Sequence, residues 1–167
     1  MIQVYTGDGK GKTTAALGLA LRAAGAGFRV YIIQFLKKGC YSEIKALRGI
    51  KNIRLQQYGR GCFLKKKPTA GDFSLARRGL QKAKQAIINK DYRVVILDEI
   101  NVALKLGLLK IEEVASLLKN SPKNKEIILT GRYLHPRIKK LAHLVSEIKE
   151  VKHYFRQGIK CRKGFDC

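Results

Sequence analysis

Short apolar runs alternate with segments of helical spacing along the whole chain. Residues 2–5 form an apolar strand that runs into a glycine-rich turn, and residues 15–24 are helix formers. Residues 28–35 (FRVYIIQF) read as a buried strand with a polar end at Gln34. Residues 42–48 read as a short helix opened by a serine, and 52–58 alternate apolar and polar as a third strand. A glycine- and lysine-rich loop over 59–70 closes at Pro68. Helical spacing resumes over 72–89, followed by a β-branched strand at 93–97. An amphipathic helix over 111–118, a strand at 126–129, a short helix at 136–142 and a sixth strand at 144–151 complete the pattern. Strands alternating with helices predict an α/β fold, a single parallel sheet with helices on both faces.

The chemistry concentrates where strands end. The first strand passes directly into Thr6-Gly7-Asp8-Gly9-Lys10-Gly11-Lys12-Thr13-Thr14 and then into helix. Strand, glycine-rich turn, Gly-Lys-Thr and helix is the arrangement of a phosphate-binding P-loop. Glycines let the backbone turn its N–H groups toward phosphate oxygens, and the helix N-terminus adds partial positive charge. Lys12 is placed to reach phosphate, and the Thr13 hydroxyl to ligate Mg²⁺. The usual spacing puts glycine at position 6, where this chain has Thr6. An unliganded glycine-rich turn would leave Lys10 and Lys12 clustered without a counter-charge.

The fourth strand ends in Asp98-Glu99, the place of a Walker B acid beside Mg²⁺. One acid is expected on the metal and the other in support; Asp98 could instead cap a helix. The fifth strand ends in Thr130-Gly131-Arg132, and Arg132 is a candidate phosphate or substrate contact as well as an ordinary solvated arginine. Gln34, followed by Lys37 and Lys38, falls at the same edge. After the third strand, Cys62-Phe63-Leu64 forms an apolar tip on a basic loop, suited to a flat hydrophobic ligand or to anchoring the loop in the core.

Composition narrows the classes. A chain of 167 residues that is 46% hydrophobic is expected to be one domain, 1–167, with a sizeable core. No apolar run approaches the roughly 18 residues of a membrane span, and the N-terminus reads as a strand, so a cytoplasmic protein is expected. Lys+Arg number 35 against 12 Asp+Glu, a formal charge of +23. That balance fits nucleic-acid binding, a lysine-rich solvated face, or attraction of anionic substrates or an acidic partner. No arginine-rich arm or nucleic-acid module stands out, which disfavours the first. Cys40, Cys62, Cys161 and Cys167 form no C-x-x-C pair, so a zinc site is not expected and free thiols are.

Together the segments VYTGDGKGKTTAALG, VYIIQFLKKG, VVILDEI, IILTGR and LVSEIKEVKHYFRQGIKCRKGFD resemble one family, the P-loop ATP:corrinoid adenosyltransferases, in order and over nearly the whole chain. The unusual Thr6 is part of the resemblance. It implies a RecA-like parallel sheet and a homodimer. It also implies transfer of the 5′-deoxyadenosyl group of ATP to the Co(I) centre of a reduced corrinoid, with release of tripolyphosphate. By position, the resemblance puts Gly7, Asp8, Gly9, Lys10, Gly11, Lys12, Thr13 and Thr14 on the phosphates, with Arg22 and Arg132 as further ATP contacts. Thr13 and Glu99 would hold Mg²⁺, supported by Asp98 and Gln34, and Cys62, Phe63 and Leu64 would face the corrinoid. Relatives of this kind carry aromatic residues after the third strand to displace the corrinoid's lower base, and here Cys62 and Leu64 flank Phe63. They also carry a segment ahead of the first strand, where this sequence begins at the strand. An acidic flavodoxin-like protein is the expected reductant, drawn by the basic surface. A P-loop nucleoside or nucleotide kinase and a RecA-like ATP-dependent nucleic-acid binder are the alternatives; the first would release ADP, the second would hydrolyse ATP under DNA stimulation.

Overall fold

A computed structural model describes residues 1–39, 41–61 and 67–165. Six parallel strands, β1 (Ile2–Thr6), β2 (Arg29–Phe35), β3 (Ile53–Tyr58), β4 (Tyr92–Asp98), β5 (Glu126–Thr130) and β6 (Leu144–Glu147), lie in the order β3-β2-β4-β5-β1-β6. Helices α1 (Lys12–Gly25) and α2 (Ser42–Arg48) pack on one face. The other face is covered by α3 (Ala70–Ile88), α4 (Ile100–Lys105), α5 (Ile111–Lys119) and α6 (Pro136–Leu141). The expected parallel α/β sheet with helices on both faces is therefore the observed fold.

Strand alternation decides which side chains meet which helices. In β2, Val30 and Ile32 face α1 while Tyr31, Ile33 and Phe35 face α3. In β4, Val94 and Ile96 face α1 while Val95 and Leu97 face the other layer. Both faces of these central strands are buried, which is why their sequences are continuous apolar runs. Continuing the α1-facing columns by one step of two residues reaches Gln34, Asp98, Thr130 and, on β3, Gln57. Cross-strand register aligns Gln34 with both Gln57 and Asp98. The hydrophobic pattern thus stops being apolar on one face and at one edge, the carboxyl ends of the strands.

Several boundaries differ from expectation. Helix α1 starts at Lys12 rather than residue 15, so Lys12 and Thr13 belong to its first turn. Helix α2 is preceded by Tyr41 as its N-cap, with Ser42 its first helical residue. Helix α4 was not expected; its six residues are too few to show a period. Strand β6 ends at Glu147 rather than near 151, because the backbone beyond it turns onto the P-loop: Ile148 N–H donates to Thr6 O (2.8 Å) and Ile148 O accepts from Gly9 N–H (2.8 Å). A 3₁₀ turn at Tyr154–Gln157 follows.

Gly79 shows how closely α3 lies on the sheet. A Cβ there would stand 2.8 Å from Phe35 Cε1 and 3.1 Å from Tyr58 Cγ, and both rings are buried. Gly79→Ala would gain about 1 kcal/mol of helix propensity, but overpacking of this kind costs about 1–3 kcal/mol. The expected outcome is a lower unfolding midpoint in thermal denaturation; an unchanged or raised midpoint would show that α3 has room to move.

Candidate functional site

The site forms where β1, β2, β4 and β5 end above the first turn of α1. Its centre is Asp98, which is fully buried. Its Oδ1 accepts from Thr13 Oγ1 (2.9 Å) and Thr130 Oγ1 (2.6 Å), and its Oδ2 from Gln34 Nε2 (2.9 Å) and Lys37 Nζ (2.8 Å). Lys37 Nζ also donates to Thr13 Oγ1 (3.0 Å). Beyond Gln34 the row continues: Gln57 Nε2 donates to Gln34 Oε1 (3.0 Å), and Gln57 Oε1 accepts from Gly39 N–H (3.2 Å). One carboxylate therefore ties the first turn of α1 to β2, β5 and the loop after β2.

Charges in this space are strongly coupled. Burial alone would oppose ionisation of Asp98, but the Lys37 charge and the hydrogen bonds from Lys37, Thr130 and Thr13 outweigh it and hold its carboxyl below the usual range. Burial likewise opposes the Lys37 charge, and the Asp98 carboxylate overrides it, so the lysine stays protonated to higher pH than normal. Glu99 goes the other way: burial, and next the Asp98 charge, push its pKa up, with Lys37, Lys12 and Arg132 partly offsetting them. Lys12 is pulled down by burial and then by Arg132, a sign that positive charge is crowded at the mouth of the loop.

The P-loop is shaped by its neighbours as well as by its glycines. The N-cap of α1 is Gly11 (φ 118°), with no side-chain cap and no acid in the first turn, an arrangement open to an anion. Thr6 is buried and its Oγ1 donates to Gly131 O (3.0 Å), which also accepts from Asn101 Nδ2 (3.1 Å). The hydroxyl that replaces the usual glycine thus fastens the loop to the end of β5. Gly7 and Gly9 answer a second demand, because a Cβ on either would collide with the backbone of Ile148 and Lys149. Lys12 Nζ folds back onto Gly9 O (2.6 Å), while Lys10 Nζ donates to Tyr154 Oη (2.6 Å) and Phe165 O (2.7 Å) in the C-terminal segment.

Among the described residues, three that are not glycine have positive φ: Leu36, Glu99 and Tyr133, each at 62°. All three follow the carboxyl ends of β2, β4 and β5. Such backbone is strained for ordinary residues and persists where the surroundings enforce it. Its placement at one edge is independent of the charges and marks the same site.

Most of the residues singled out in sequence converge here. Arg132 reaches the P-loop, with Nη2 3.2 Å from Asp8 O and Nε 3.7 Å from Asp8 Oδ1, while its side chain stays half exposed to solvent. Asp98 is not a helix cap; Glu99, in the left-handed conformation, is the N-cap residue of α4. Thr14 is exposed on α1. Arg22 is brought to another place, exposed in the last turn of α1, roughly 15 Å along the axis from Lys12. Cys62, Phe63 and Leu64 lie outside the described residues, as do Cys40 and Cys167. Arg60, just before that tip, is anchored by Asp72, which accepts from Arg60 Nε (3.0 Å) and Nη2 (2.6 Å). Sequence reasoning missed the parts played by Thr130 and Gln57; the period of two along β5 and β3, counted from their α1-facing residues, is the signal that reaches both.

The atoms that Thr13, Asp98 and Glu99 themselves offer are oxygens, the ligands a hard divalent cation takes. Among the described residues no group of three or more His, Cys, Asp or Glu is arranged as a metal cage. The set fits an ion held by one or two carboxylates together with substrate phosphates rather than by protein alone. An all-parallel sheet with a glycine-rich turn before α1, and a Thr-to-acid contact across it, defines a P-loop nucleotide-binding fold. A solved neighbour, EssC ATPases 2 and 3 from Geobacillus thermodenitrificans, superposes with a TM-score of 0.52 at 16% identity, covering 99% of this chain and 35% of its own, which supports the fold.

The family model for ATP:corrinoid adenosyltransferase BtuR/CobO/CobP matches residues 1–167, and the chain belongs to that family. It is 36% identical over 166 residues to the corrinoid adenosyltransferase of Escherichia coli K12, covering 99% of this chain and 85% of the relative. It is 35% identical over 166 residues to the corrinoid adenosyltransferase CobA of Salmonella typhimurium, with the same 99% and 85% coverage. An uncharacterised protein of Nostoc sp. is 38% identical over 179 residues; this chain spans 99% of its own length and 47% of that longer relative.

The raised Glu99 has a defined pH signature. A carboxyl whose folded pKa exceeds its unfolded value contributes nothing when both states are protonated and destabilises the fold once both are ionised. Glu99→Gln is therefore expected to raise the unfolding midpoint at pH 7. The gain should shrink as pH falls through the raised folded value toward the ordinary glutamate value of 4.5, and be absent below it. Thermal denaturation of both proteins from pH 3 to 8 checks this, and a Glu99→Gln protein less stable than wild type at pH 7 would contradict it.

Proposed function

We propose that this protein transfers the 5′-deoxyadenosyl group of ATP to the Co(I) centre of a reduced corrinoid, releasing tripolyphosphate. The observation that carries the reading is the contact between Thr13, in the first turn after the glycine-rich loop, and buried Asp98, in a chain of this family. The Co(I) electron pair attacks the ribose C5′; the C5′–O bond breaks and its electrons leave with tripolyphosphate, so cobalt becomes Co(III). The nucleophile brings its own electron pair and no proton is removed, so no side chain is needed as a base. The protein's work is to bind, orient and neutralise.

Residues Gly7–Thr14 would line the triphosphate, with Lys12 released from Gly9 O onto phosphate oxygen and Arg132 turned from Asp8 onto the same anion. Arg22 is kept as an ATP contact on the resemblance alone. Thr13 and Glu99 would hold Mg²⁺, with Asp98 and Gln34 fixing them. When bound, Mg²⁺ supplies charge neutralisation to the leaving tripolyphosphate. Cys62, Phe63 and Leu64 would touch the corrinoid, on a loop whose near end Arg60 and Asp72 hold down. A homodimer and a cytoplasmic location complete the reading; among the described residues no helix is long and apolar enough to cross a membrane.

The test mixes purified protein, MgATP and chemically reduced Co(I) corrinoid under anaerobic conditions and follows loss of the Co(I) absorbance. A light-sensitive adenosylated corrinoid is expected, from cobinamide at least and from cobalamin if residues 62–64 displace its lower base. Lys12→Ala should lower the rate on the order of 10²-fold or more. Wild-type protein that makes no adenosylated product from either corrinoid would overturn the proposal.

An acidic flavodoxin-like reductant would be drawn by the +23 charge. Turnover coupled to such a reductant should fall as salt rises from about 0.01 to 0.15 M, over which the screening length drops from about 30 to 8 Å. A coupled rate indifferent to salt would remove the electrostatic argument.

A further inference from the structure

Lys37 lies in the site, yet neither the P-loop nor the Walker B strand accounts for it. Its Nζ stands 2.8 Å from Asp98 Oδ2 and 3.0 Å from Thr13 Oγ1, and its side chain is 17% exposed. These two oxygens belong to the groups that flank a divalent ion in a P-loop site. The ammonium is thus placed between a helix hydroxyl and a strand carboxylate, where a metal brought in with nucleotide would bind. Lys12, the P-loop lysine, does not compete for this place, since its Nζ is on Gly9 O.

The backbone is built to deliver Lys37. Leu36, immediately before it, takes a positive φ of 62°. Leu36 N–H donates to Tyr58 O (3.0 Å), and a Cβ on Gly59 would fall 2.1 Å from Leu36 C, so the turn is pressed against the end of β3. Gly39 N–H is held by Gln57, itself bonded to Gln34. A strained turn fixed on both sides of a lysine that reaches a buried carboxylate and a helix hydroxyl is a device, not a solvated side chain.

We propose that Lys37 is the resident cation of the nucleotide-free site: it holds Thr13 and Asp98 together, and it leaves when the divalent ion arrives with ATP. This rests on the magnesium reading above. A buried carboxylate without a counter-charge is strongly unfavourable, so a built-in cation keeps the empty site folded. The same cation repels a bare metal ion, so the ion enters only as a complex whose phosphates bring negative charge. Lys37 is then a positioning residue that makes metal binding depend on nucleotide.

The experiment uses the full chain, with Mn²⁺ as the metal probe followed by the electron paramagnetic resonance signal of the free ion. Without nucleotide, Lys37→Met is expected to bind Mn²⁺ at least tenfold more tightly than wild type. Its unfolding midpoint should be lowered in chelator and recovered by Mg²⁺ alone, which leaves wild type unmoved. Lys37→Gln, which keeps a donor toward Asp98, gives the same comparison should Lys37→Met not fold. Variants that bind Mn²⁺ no more tightly than wild type overturn the proposal. If wild type is stabilised no more by MgATP than by ATP in chelator, the magnesium reading itself fails.

Discussion

A single buried carboxylate organises this molecule's functional edge. Asp98 accepts four side-chain hydrogen bonds, from Thr13, Thr130, Gln34 and Lys37, and those donors come from α1, β5, β2 and the loop beyond β2. An ionised group with no exposure is stable in a protein only when its lone pairs are satisfied and its charge is opposed. Both conditions are met here, so the elements that meet at Asp98 are fixed relative to one another. Removal of that carboxylate would leave Lys37 facing a neutral site and Thr13 without its strand partner. The same carboxylate pushes Glu99 in the opposite direction, and the two adjacent acids hold their protons very differently.

The P-loop is likewise held from two sides. Thr6 and Asn101 fasten the carbonyl of Gly131, which keeps the Thr-Gly-Arg turn against the loop and sets Arg132 over Asp8. From the other side, the backbone at 148–149 lies on Gly7 and Gly9, and Tyr154 and Phe165 receive Lys10. The C-terminal motif is thus part of the architecture of the phosphate loop, and this explains why so much of the family resemblance lies far from the Gly-Lys-Thr sequence. Nucleotide would have to draw Lys12 off Gly9, so the empty loop is closed on internal contacts.

Much of this was legible in the sequence. Strand-helix alternation gave the parallel sheet, because strands buried on both faces are necessarily apolar runs. The positions of Gln34, Asp98 and Arg132 at strand ends put them at one edge, and the structure brings them there. What stayed hidden depends on distance through space. Nothing local marks Lys37 as different from Lys38, since its role comes from a carboxylate on another strand. The helix at Ile100–Lys105 is a single short stretch held by packing of Ile100 and Ala103 rather than by pattern. The end of β6 is set by the P-loop it touches, not by its own residues. Arg22 rests on the resemblance alone, outside the quoted motifs, and within this chain it stands in the last turn of α1.

The central claim is that the site presents the ribose carbon of ATP, not the γ-phosphorus, to the incoming nucleophile. Phosphorus nuclear magnetic resonance of a complete anaerobic reaction tests it directly. Tripolyphosphate formed in step with adenosylated corrinoid is the result this account requires. ADP or free phosphate formed instead, with no cobalt–carbon product, would contradict it and leave a P-loop phosphotransferase or ATPase.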